Sequence, residues 1–263
     1  MPELPEVETV RRVLAERLVG RRVSAVVVPK VTFYRRPPPK ALTGLVDSEF
    51  LAARRRGKYL LLDFSGDRTL TGHLGMSGRL FLAPSAAPTQ AHERFRMDFG
   101  PESMRFVDPR RFGRIACPLP EFGPEPLEAA FDAAHLAREF RKRRAPVKAL
   151  LLDQAVVAGV GNIYATEALF LAGVRPARAA ASLSAAERER LVAAVKRVLT
   201  AGIETGGSTL SDEAFLDPLG HPGRAHLAHA VYGRATGTCG HKLVKTRRPM
   251  AGRTSVYCLV CQR

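Results

Sequence analysis

The residues with the clearest chemical potential open the sequence, which reads MPELPEVE. Removal of Met1 would expose the secondary amine of Pro2, and an α-amino group with a pKa of about 8 is partly neutral at physiological pH. Attack on a sugar C1′ would give an iminium, the electron sink that lysine Schiff bases supply elsewhere. Glu3 could donate and accept protons during ring opening and elimination. In the alternative interpretation, Pro2 starts a helix while Glu3 and Glu6 favour its dipole.

A second set of candidates lies near the end of the chain, in CGHKLVKTRRPMAGRTSVYCLVC. Cys239-x-His241 and Cys258-x-x-Cys261 are separated by sixteen residues. Two tight ligand pairs at the ends of two strands suit a tetrahedral zinc ion, so the sequence predicts a zinc hairpin with one Zn²⁺ per chain. Two alternatives stay open: three buried thiols beside an incidental histidine, or Cys117 as the fourth ligand.

Charge and hydropathy narrow the class of partner. The chain has 41 Lys and Arg against 25 Asp and Glu, a net charge of +16. Such a surplus favours binding to polyanions, because Lys and Arg neutralise phosphates, so nucleic acid is the leading partner. The alternative is a soluble protein that is merely basic. No apolar run approaches the roughly 18 residues of a membrane helix, so we expect a soluble protein that stays inside the cell.

Two interior tracts could supply a wedge for a base stack. HLGMSG raises Met76 between two glycines, and DPRRFGR puts Arg110, Arg111 and Phe112 on a turn. Such residues fill the gap in a stack when a duplex is kinked or a base is extruded. A methionine folded back into the core is the alternative.

Two further tracts offer phosphate ligands. RRRGKYLLL places Lys58 at the start of a strand, and GVGNIYATE places Asn162 where it could cap a helix after a tight turn. A helix start directs backbone N–H groups at an anion and suits a DNA phosphate. Taken alone, GVGNIYATE is also typical of an ordinary helical hairpin.

Elements of two kinds must position these residues. Helical spacing of the apolar residues predicts a first helix over residues 3–19, ended by Gly20. From Val23 to about Gly113, short β-branched and aromatic runs separated by turn residues predict a β-sandwich. CPLPEFGPEP then indicates a linker, and the following apolar pattern is helical until about Gly206. The segment Gly206–His229 has no clean period and predicts a mobile loop before the zinc hairpin.

These tracts occur in one order that resembles a known family. MPELPEVE, RRGKYLLL, HLGMSG, DPRRFG, LLDQAVVAGVGNIYATEALF, VYGR and the cysteine hairpin are together similar to the formamidopyrimidine-DNA glycosylases, the Fpg/MutM branch of the Fpg/Nei family. The resemblance runs from residue 2 to residue 261. It implies an α+β fold with an N-terminal helix and β-sandwich, then a helix-two-turn-helix domain that ends in a β-hairpin zinc finger.

The resemblance also implies an activity. The family members are bifunctional glycosylases and AP lyases that remove 8-oxoguanine and formamidopyrimidines from duplex DNA by β,δ-elimination, through a Schiff base on an N-terminal proline. By this resemblance Pro2 is the nucleophile and Glu3 the general acid/base. Lys58 acts near the lesion sugar and its phosphates, and Arg253 grips the phosphates that flank the damaged nucleotide.

DNA contacts follow from the same resemblance. Asn162 matches the phosphate-binding asparagine of the helix-two-turn-helix motif, and His73 contributes another backbone contact. The intercalating triad is Met76, Arg110 and Phe112, with Arg110 facing the orphaned cytosine and Arg111 beside it on the DNA. Lys148 and Glu6 match positions near the extruded base.

We also predict domain boundaries, a binding partner and a cellular location. We expect a catalytic β-sandwich domain over 1–117, a linker over 118–134, a helix-two-turn-helix domain over 135–230 with a lesion-capping loop over 206–229, and a zinc finger over 231–263. The expected partner is duplex DNA with oxidised bases or abasic sites, bound by a monomer in the bacterial cytoplasm at the nucleoid. Membranes are not expected partners.

Two departures from the family pattern bear on these expectations. The usual zinc ligands are two Cys-x2-Cys pairs, whereas His241 here takes the place of a cysteine, which makes the site one charge less negative. The 206–229 loop shows no clear match to the base-reading positions of the family. Two alternatives therefore remain: an oxidised-pyrimidine glycosylase of the same family, and a non-catalytic nucleic-acid-binding protein.

Overall fold

The computed structural model describes residues 1–29, 37–38, 40–210 and 215–263. Helix α1 spans Leu4–Leu18. Its buried residues recur every three or four positions and form one apolar face, which packs on strands β2 (Phe50–Arg56) and β3 (Tyr59–Phe64). Glu8 fixes this packing, because its Oε2 accepts from Nε of Arg55 on β2 at 3.2 Å.

The first half of the chain forms two antiparallel sheets of four strands each. Besides β2 and β3, their strands are β1 (Ala25–Val27), β4 (Arg68–His73), β5 (Arg79–Pro84), β6 (Glu93–Phe99), β7 (Glu102–Val107) and β8 (Arg114–Ile115). One sheet has the order β1-β6-β7-β5 and the other β2-β3-β4-β8.

A single apolar core joins the two sheets and α1. Residues from both sheets contribute to it, among them Phe50, Phe64, Phe95 and Phe106, all almost fully buried. Phe50 meets Phe64 edge to face with ring centroids 5.3 Å apart, a favourable aromatic geometry. The predicted β-sandwich is therefore confirmed.

The second half of the chain is helical and ends in a small hairpin. Its helices are α2 (Ala133–Phe140), α3 (Val147–Leu152), α4 (Asn162–Leu171) and α5 (Ala185–Glu204). Strands β9 (Leu243–Lys245) and β10 (Val256–Cys258) pair antiparallel. Short 3₁₀ turns occur at Thr43–Leu45, Ala180–Ser182 and Ala225–Ala228. The predicted α+β order, with helices and a terminal hairpin after the sandwich, is confirmed.

Two helices of this half begin at side-chain caps. The Asp132 carboxylate accepts the N–H of His135 at the start of α2, at 2.6 Å. Ser184 and Glu187 satisfy each other's backbone N–H groups at the start of α5. Each cap satisfies helix donors that have no partner inside the helix, so the helix starts are set locally by sequence.

Contacts divide the chain into two compact units: Met1–Pro120 with Thr205–His226, and Glu121–Glu204 with Leu227–Arg263. This division differs from the predicted domains at the 206–229 loop, most of which belongs to the first unit. Phe215 is buried in the sandwich core, and the carbonyl of Pro218 accepts the N–H of Leu82 at 2.8 Å. The part of the predicted loop at 211–214 lies outside the described residues. Among the described helices, none has both the length and the apolar character to cross a membrane.

Candidate active site, nucleic-acid interface and metal centre

The N-terminus is folded onto the head of helix α1. Pro2 is buried and Glu3, which is 3% exposed, is the residue before the first turn of the helix. Glu3 and Glu6 form a capping box, in which the N–H of Glu3 donates to Oε2 of Glu6 at 2.8 Å. The same short segment therefore starts the helix and holds both Pro2 and the Glu3 carboxylate. A role in starting the helix and a role in catalysis are compatible.

A cationic cluster forms where three strands of the second sheet end. His73, the last residue of β4, pairs with Tyr59 at the start of β3 and with Arg114 on β8, while Lys58 precedes Tyr59 in the turn. The rings of Tyr59 and His73 lie 4.7 Å apart. Burial, together with the positive charges of Arg114 and Lys58, lowers the pKa of His73 to about 4.

The protonation of His73 is set by this environment. Its Nδ1 accepts the N–H of Gly75 at 3.0 Å, so the neutral ring carries its proton on Nε2. The ring is thus a neutral hydrogen-bond donor beside the Lys58 and Arg114 cations at physiological pH.

Acidification should therefore destabilise the protein through His73. The folded pKa of about 4 lies below the ordinary value of 6.5, so the unfolded chain binds a proton first and stability falls as the pH drops from about 6.5 to about 4. At pH 5 the loss should be about 2 kcal/mol. Urea unfolding at pH 7.5 and at pH 5 measures it. His73→Gln keeps an acceptor for the N–H of Gly75 and should reduce the difference in the free energy of unfolding between the two pH values by about this amount. An unchanged difference would show that His73 is not its source.

The predicted wedge residues lie on two adjoining turns of the first unit. Arg110, Arg111 and Phe112 are exposed and Met76 is half-buried. The guanidinium of Arg110 lies over the ring of Phe112, 5.1 Å from its centroid, within the range of a cation–π contact. The backbones touch as well, since a Cβ built on Gly75 would lie 2.5 Å from the carbonyl carbon of Phe112. Only glycine allows the two turns to approach this closely.

A buried carboxylate supports both turns. Asp108 is 1% exposed; its Oδ1 accepts the hydroxyl of Ser77 and its Oδ2 the N–H of Gly113, each at 2.7 Å. The carbonyl of Asp108 accepts Nε and Nη2 of Arg94 at 3.0 and 2.6 Å. The exposed residues therefore stand on a turn whose backbone is held from beneath.

In the second unit, Lys148 organises the start of helix α4. Its side chain is fully buried, and Nζ donates to Oδ1 of Asn162 at 2.7 Å, to Oγ1 of Thr166 at 2.8 Å and to the hydroxyl of Ser255. Asn162 is the first residue of α4, after Gly161 at the N-cap position. Lys148 thus joins α3, the head of α4 and the strand entry of the terminal hairpin.

Glu167 ties the same helix to the segment before the hairpin. Its buried carboxylate accepts the N–H groups of Ala230, Val231 and Tyr232 at 2.6, 3.0 and 2.6 Å. A charged acceptor of three backbone donors makes strong hydrogen bonds. The Glu167 carboxylate thus fixes the backbone of residues 230–232, which lead into the hairpin.

Arg253 stands on the tight turn of that hairpin. Met250 and Arg253 exchange both backbone hydrogen bonds at 2.9 Å, and Ala251 and Gly252 between them have φ of 46° and 71°. Two positive φ values define a type I′ turn, which joins antiparallel segments without splaying them. Arg253 is exposed there.

The four predicted metal ligands meet at the other end of the hairpin. One donor atom from each of Cys239, His241, Cys258 and Cys261 lies within 4.8 Å of the others. Sγ of Cys239 is 3.8 Å from Sγ of Cys258, and Sγ of Cys261 is 3.6 Å from Nδ1 of His241. A tetrahedral zinc ion would set these two separations at about 3.8 and about 3.6 Å.

Thiol chemistry supports the same conclusion. Burial raises the pKa of the Cys258 thiol, but the N–H groups of Cys261 and Val260 outweigh this and bring it to about 7. Contact with Cys258, burial and contact with Cys239 raise the pKa of Cys261 to about 11. A bound cation would relieve the repulsion among these thiolates. The cluster can bind a metal, and Cys117, which belongs to the other compact unit, is not part of it.

Comparison with known proteins gives the family. A sequence model of the formamidopyrimidine-DNA glycosylase N-terminal domain matches residues 1–115, and one of the formamidopyrimidine-DNA glycosylase H2TH domain matches residues 122–214. The chain belongs to the formamidopyrimidine-DNA glycosylase family. It is a DNA glycosylase of DNA repair, and the resemblance inferred from its sequence is confirmed.

Relatives match along the full length. The formamidopyrimidine-DNA glycosylases of Stenotrophomonas maltophilia and Carboxydothermus hydrogenoformans are 44% and 40% identical, with 100% of this chain and of each relative covered. The MutM (Fpg) structure from Thermus thermophilus is 40% identical with a TM-score of 0.86, covering 99% of this chain and 98% of that one. Lactococcus lactis Fpg bound to DNA with an abasic site is 31% identical with a TM-score of 0.89, covering 99% of each chain.

Within this family frame, the predicted site residues fall into two groups. Pro2, Glu3, Lys58, His73 and the wedge residues lie in the first unit, whereas Asn162, Arg253 and the metal ligands lie in the second. Sequence reasoning did not single out Asp108, Ser77 or Glu167. A signal existed for Glu167, because an acidic residue stands within the largely apolar helix NIYATEALFL.

Proposed function

We propose that this glycosylase is bifunctional: it excises oxidised purines, chiefly 8-oxoguanine and formamidopyrimidines, and cleaves the resulting abasic site by β,δ-elimination. The observation that carries the proposal is the buried N-terminus, where Glu3 follows Pro2 directly at the head of α1. Lactococcus lactis Fpg structures with DNA containing Fapy-dG or an abasic site support the substrate class.

Pro2 and Glu3 carry the chemistry. After loss of Met1, the nitrogen of Pro2 attacks C1′ of the damaged nucleotide, and the C1′–base bond breaks with its electrons leaving on the base. The base takes up the proton that the Pro2 nitrogen loses. Glu3 protonates O4′ as the C1′–O4′ bond opens, leaving an iminium between Pro2 and C1′. Loss of a C2′ proton then expels the 3′ phosphate. A second proton loss, from C4′, expels the 5′ phosphate, and water hydrolyses the iminium.

Each unit contributes cationic or polar residues that bind phosphates. Lys58, beside Arg114 and the neutral His73, supplies a positive potential that suits the phosphates of the lesion nucleotide. Asn162, held by Lys148, and the exposed Arg253 bind backbone phosphates. Met76, Arg110 and Phe112 fill the space of the extruded nucleotide, with Arg110 toward the orphaned cytosine. The net charge of +16 supports binding to nucleic acid, and we expect the protein to act as a monomer on the bacterial nucleoid.

The metal of the hairpin is one Zn²⁺ per chain, held by Cys239, His241, Cys258 and Cys261. When bound, it supplies structural cross-linking and no chemistry, since all four positions of its tetrahedron come from the protein. The hairpin then presents Arg253 on its type I′ turn.

Borohydride trapping tests the proposal. Untagged protein is incubated with a duplex carrying 8-oxoguanine opposite cytosine, and borohydride reduces any iminium to a stable amine. We expect a covalent protein–DNA band that maps to the N-terminal peptide, slower trapping by Pro2→Gly, and weak trapping by Glu3→Gln. A thymine glycol duplex in competition distinguishes an oxidised-pyrimidine enzyme. Intact duplex binding without a covalent band would instead indicate a non-catalytic binder.

A further inference from the structure

The Glu6 carboxylate accepts hydrogen bonds from two separate parts of the first unit. Glu6 is 2% exposed. Its Oε2 accepts the N–H of Glu3 at 2.8 Å, and its Oε1 accepts the N–H of Ser208 at 2.7 Å. Each carboxyl oxygen is therefore bonded to main chain, one at the N-terminus and one at the segment that follows α5.

The N-terminal bond holds a particular amide. The N–H of Glu3 belongs to the peptide that joins Pro2 to Glu3, the first peptide of the chain once Met1 is removed. Because this unit is planar, fixing its N–H fixes the plane that carries the Cα of Pro2. Only rotation about the Cα–C bond of Pro2 then moves its nitrogen relative to this plane, so the Glu6 carboxylate sets the pivot from which that nitrogen is directed.

The second bond reaches the base of the 206–229 segment. Gly207, next to Ser208, has φ of +80°, and a Cβ built there would lie 2.9 Å from Cγ and Oε1 of Glu6. Gly207 also bonds across the segment, since its carbonyl accepts the N–H of Ala225 at 2.9 Å. The two ends of the segment are thus joined where Glu6 contacts it.

We propose that Glu6 is a positioning residue, which holds the Pro2–Glu3 amide so that the Pro2 amine is placed for attack, and which anchors the base of the 206–229 segment to that amide. The inference rests on the proposed function of Pro2 and Glu3. It differs from the family-derived expectation that Glu6 lies near the extruded base and helps to bind it. A residue that contacts the base is not needed once the base is gone, whereas a residue that aims the amine is needed on any substrate.

A preformed abasic site separates these two roles. Single-turnover borohydride trapping is measured with an 8-oxoguanine duplex and with an abasic-site duplex, for wild type and Glu6→Gln. Gln retains one acceptor oxygen and would direct an NH₂ group at a backbone donor. We expect trapping to slow by about 10- to 100-fold on both duplexes, with duplex Kd within about threefold of wild type. Glu16→Gln, the same change at an exposed position of α1, should match wild type.

Gly207→Ala provides a second test that leaves the carboxylate unchanged. Its Cβ must displace Glu6, so it should slow abasic-site trapping in the same direction. Thermal unfolding checks that each variant is folded. Slowing confined to the 8-oxoguanine duplex, or wild-type rates on both duplexes, would overturn the inference. If wild type itself forms no adduct at its N-terminal peptide, the proposed function fails instead.

Discussion

Protein with an affinity tag fused to its N-terminus is expected to trap abasic-site DNA at least about 10³-fold more slowly than untagged protein. The tag converts the nitrogen of Pro2 into a tertiary amide, whose lone pair is delocalised into the carbonyl and cannot attack C1′. Pro2, the proposed nucleophile, is buried and stands two residues before the start of α1 at Leu4. A general acid in the right place cannot compensate for a missing nucleophile.

The matched control carries the same tag at the C-terminus, with loss of Met1 verified by mass spectrometry. Both forms should bind an undamaged duplex with similar affinity, since Asn162 and Arg253 belong to the other compact unit. Single-turnover trapping and strand cleavage are the measurements. A tagged, unprocessed protein that cleaves damaged DNA at the native rate would refute the role of Pro2.

Sequence predicts best those features that depend on local spacing. The apolar period gives α1 over 3–19 where the structure has Leu4–Leu18, and the paired spacing of the terminal cysteines and histidine gives the cluster. Both features depend on the spacing of residues that are close in the sequence, and the pattern of residue types shows that spacing directly.

Features that depend on long-range contacts were not predictable in this way. Lys148 is 107 residues from Ser255 in sequence, and nothing near it shows that its ammonium is buried among hydroxyl and amide oxygens. The 206–229 segment lacks a period, yet the described part of it is held by hydrogen bonds to β5 and to Glu6. An irregular segment whose backbone groups are hydrogen-bonded to residues distant in the sequence shows no repeating pattern of residue types.

A metal bound by the Cys239, His241, Cys258 and Cys261 cluster would explain how a hairpin with two three-residue strands can present an arginine. So short a hairpin is at best marginally stable alone. Lys148 binds Ser255, just before β10, and Glu167 binds residues 230–232, which lead into the hairpin. The four candidate metal ligands lie at the end of the hairpin opposite its turn. Metal binding to such a site is coupled to folding and supplies about 10 kcal/mol or more.

Removal of the metal should therefore release Arg253 from its turn. Metal analysis of the native protein is expected to give about one zinc per chain, and chelation should lower undamaged-duplex affinity at least about tenfold. The slope of log affinity against log salt should become shallower by about 1, as it should in Arg253→Ala, because one phosphate contact is lost in each case. The Arg253→Ala protein should retain its metal, which separates loss of the cation from loss of the hairpin.

His241 offers the most selective test of the ligand set. His241→Ala removes the fourth donor and should lower zinc content and duplex affinity together, whereas His241→Cys restores a family-like set of four thiolates and should retain one metal. The histidine site carries one negative charge fewer, so it should lose zinc to a chelator faster than His241→Cys does. Equal zinc content in wild type and His241→Ala would mean that three cysteines and another donor hold the ion. In that case the 3.6 Å approach of His241 to Cys261 is a packing contact.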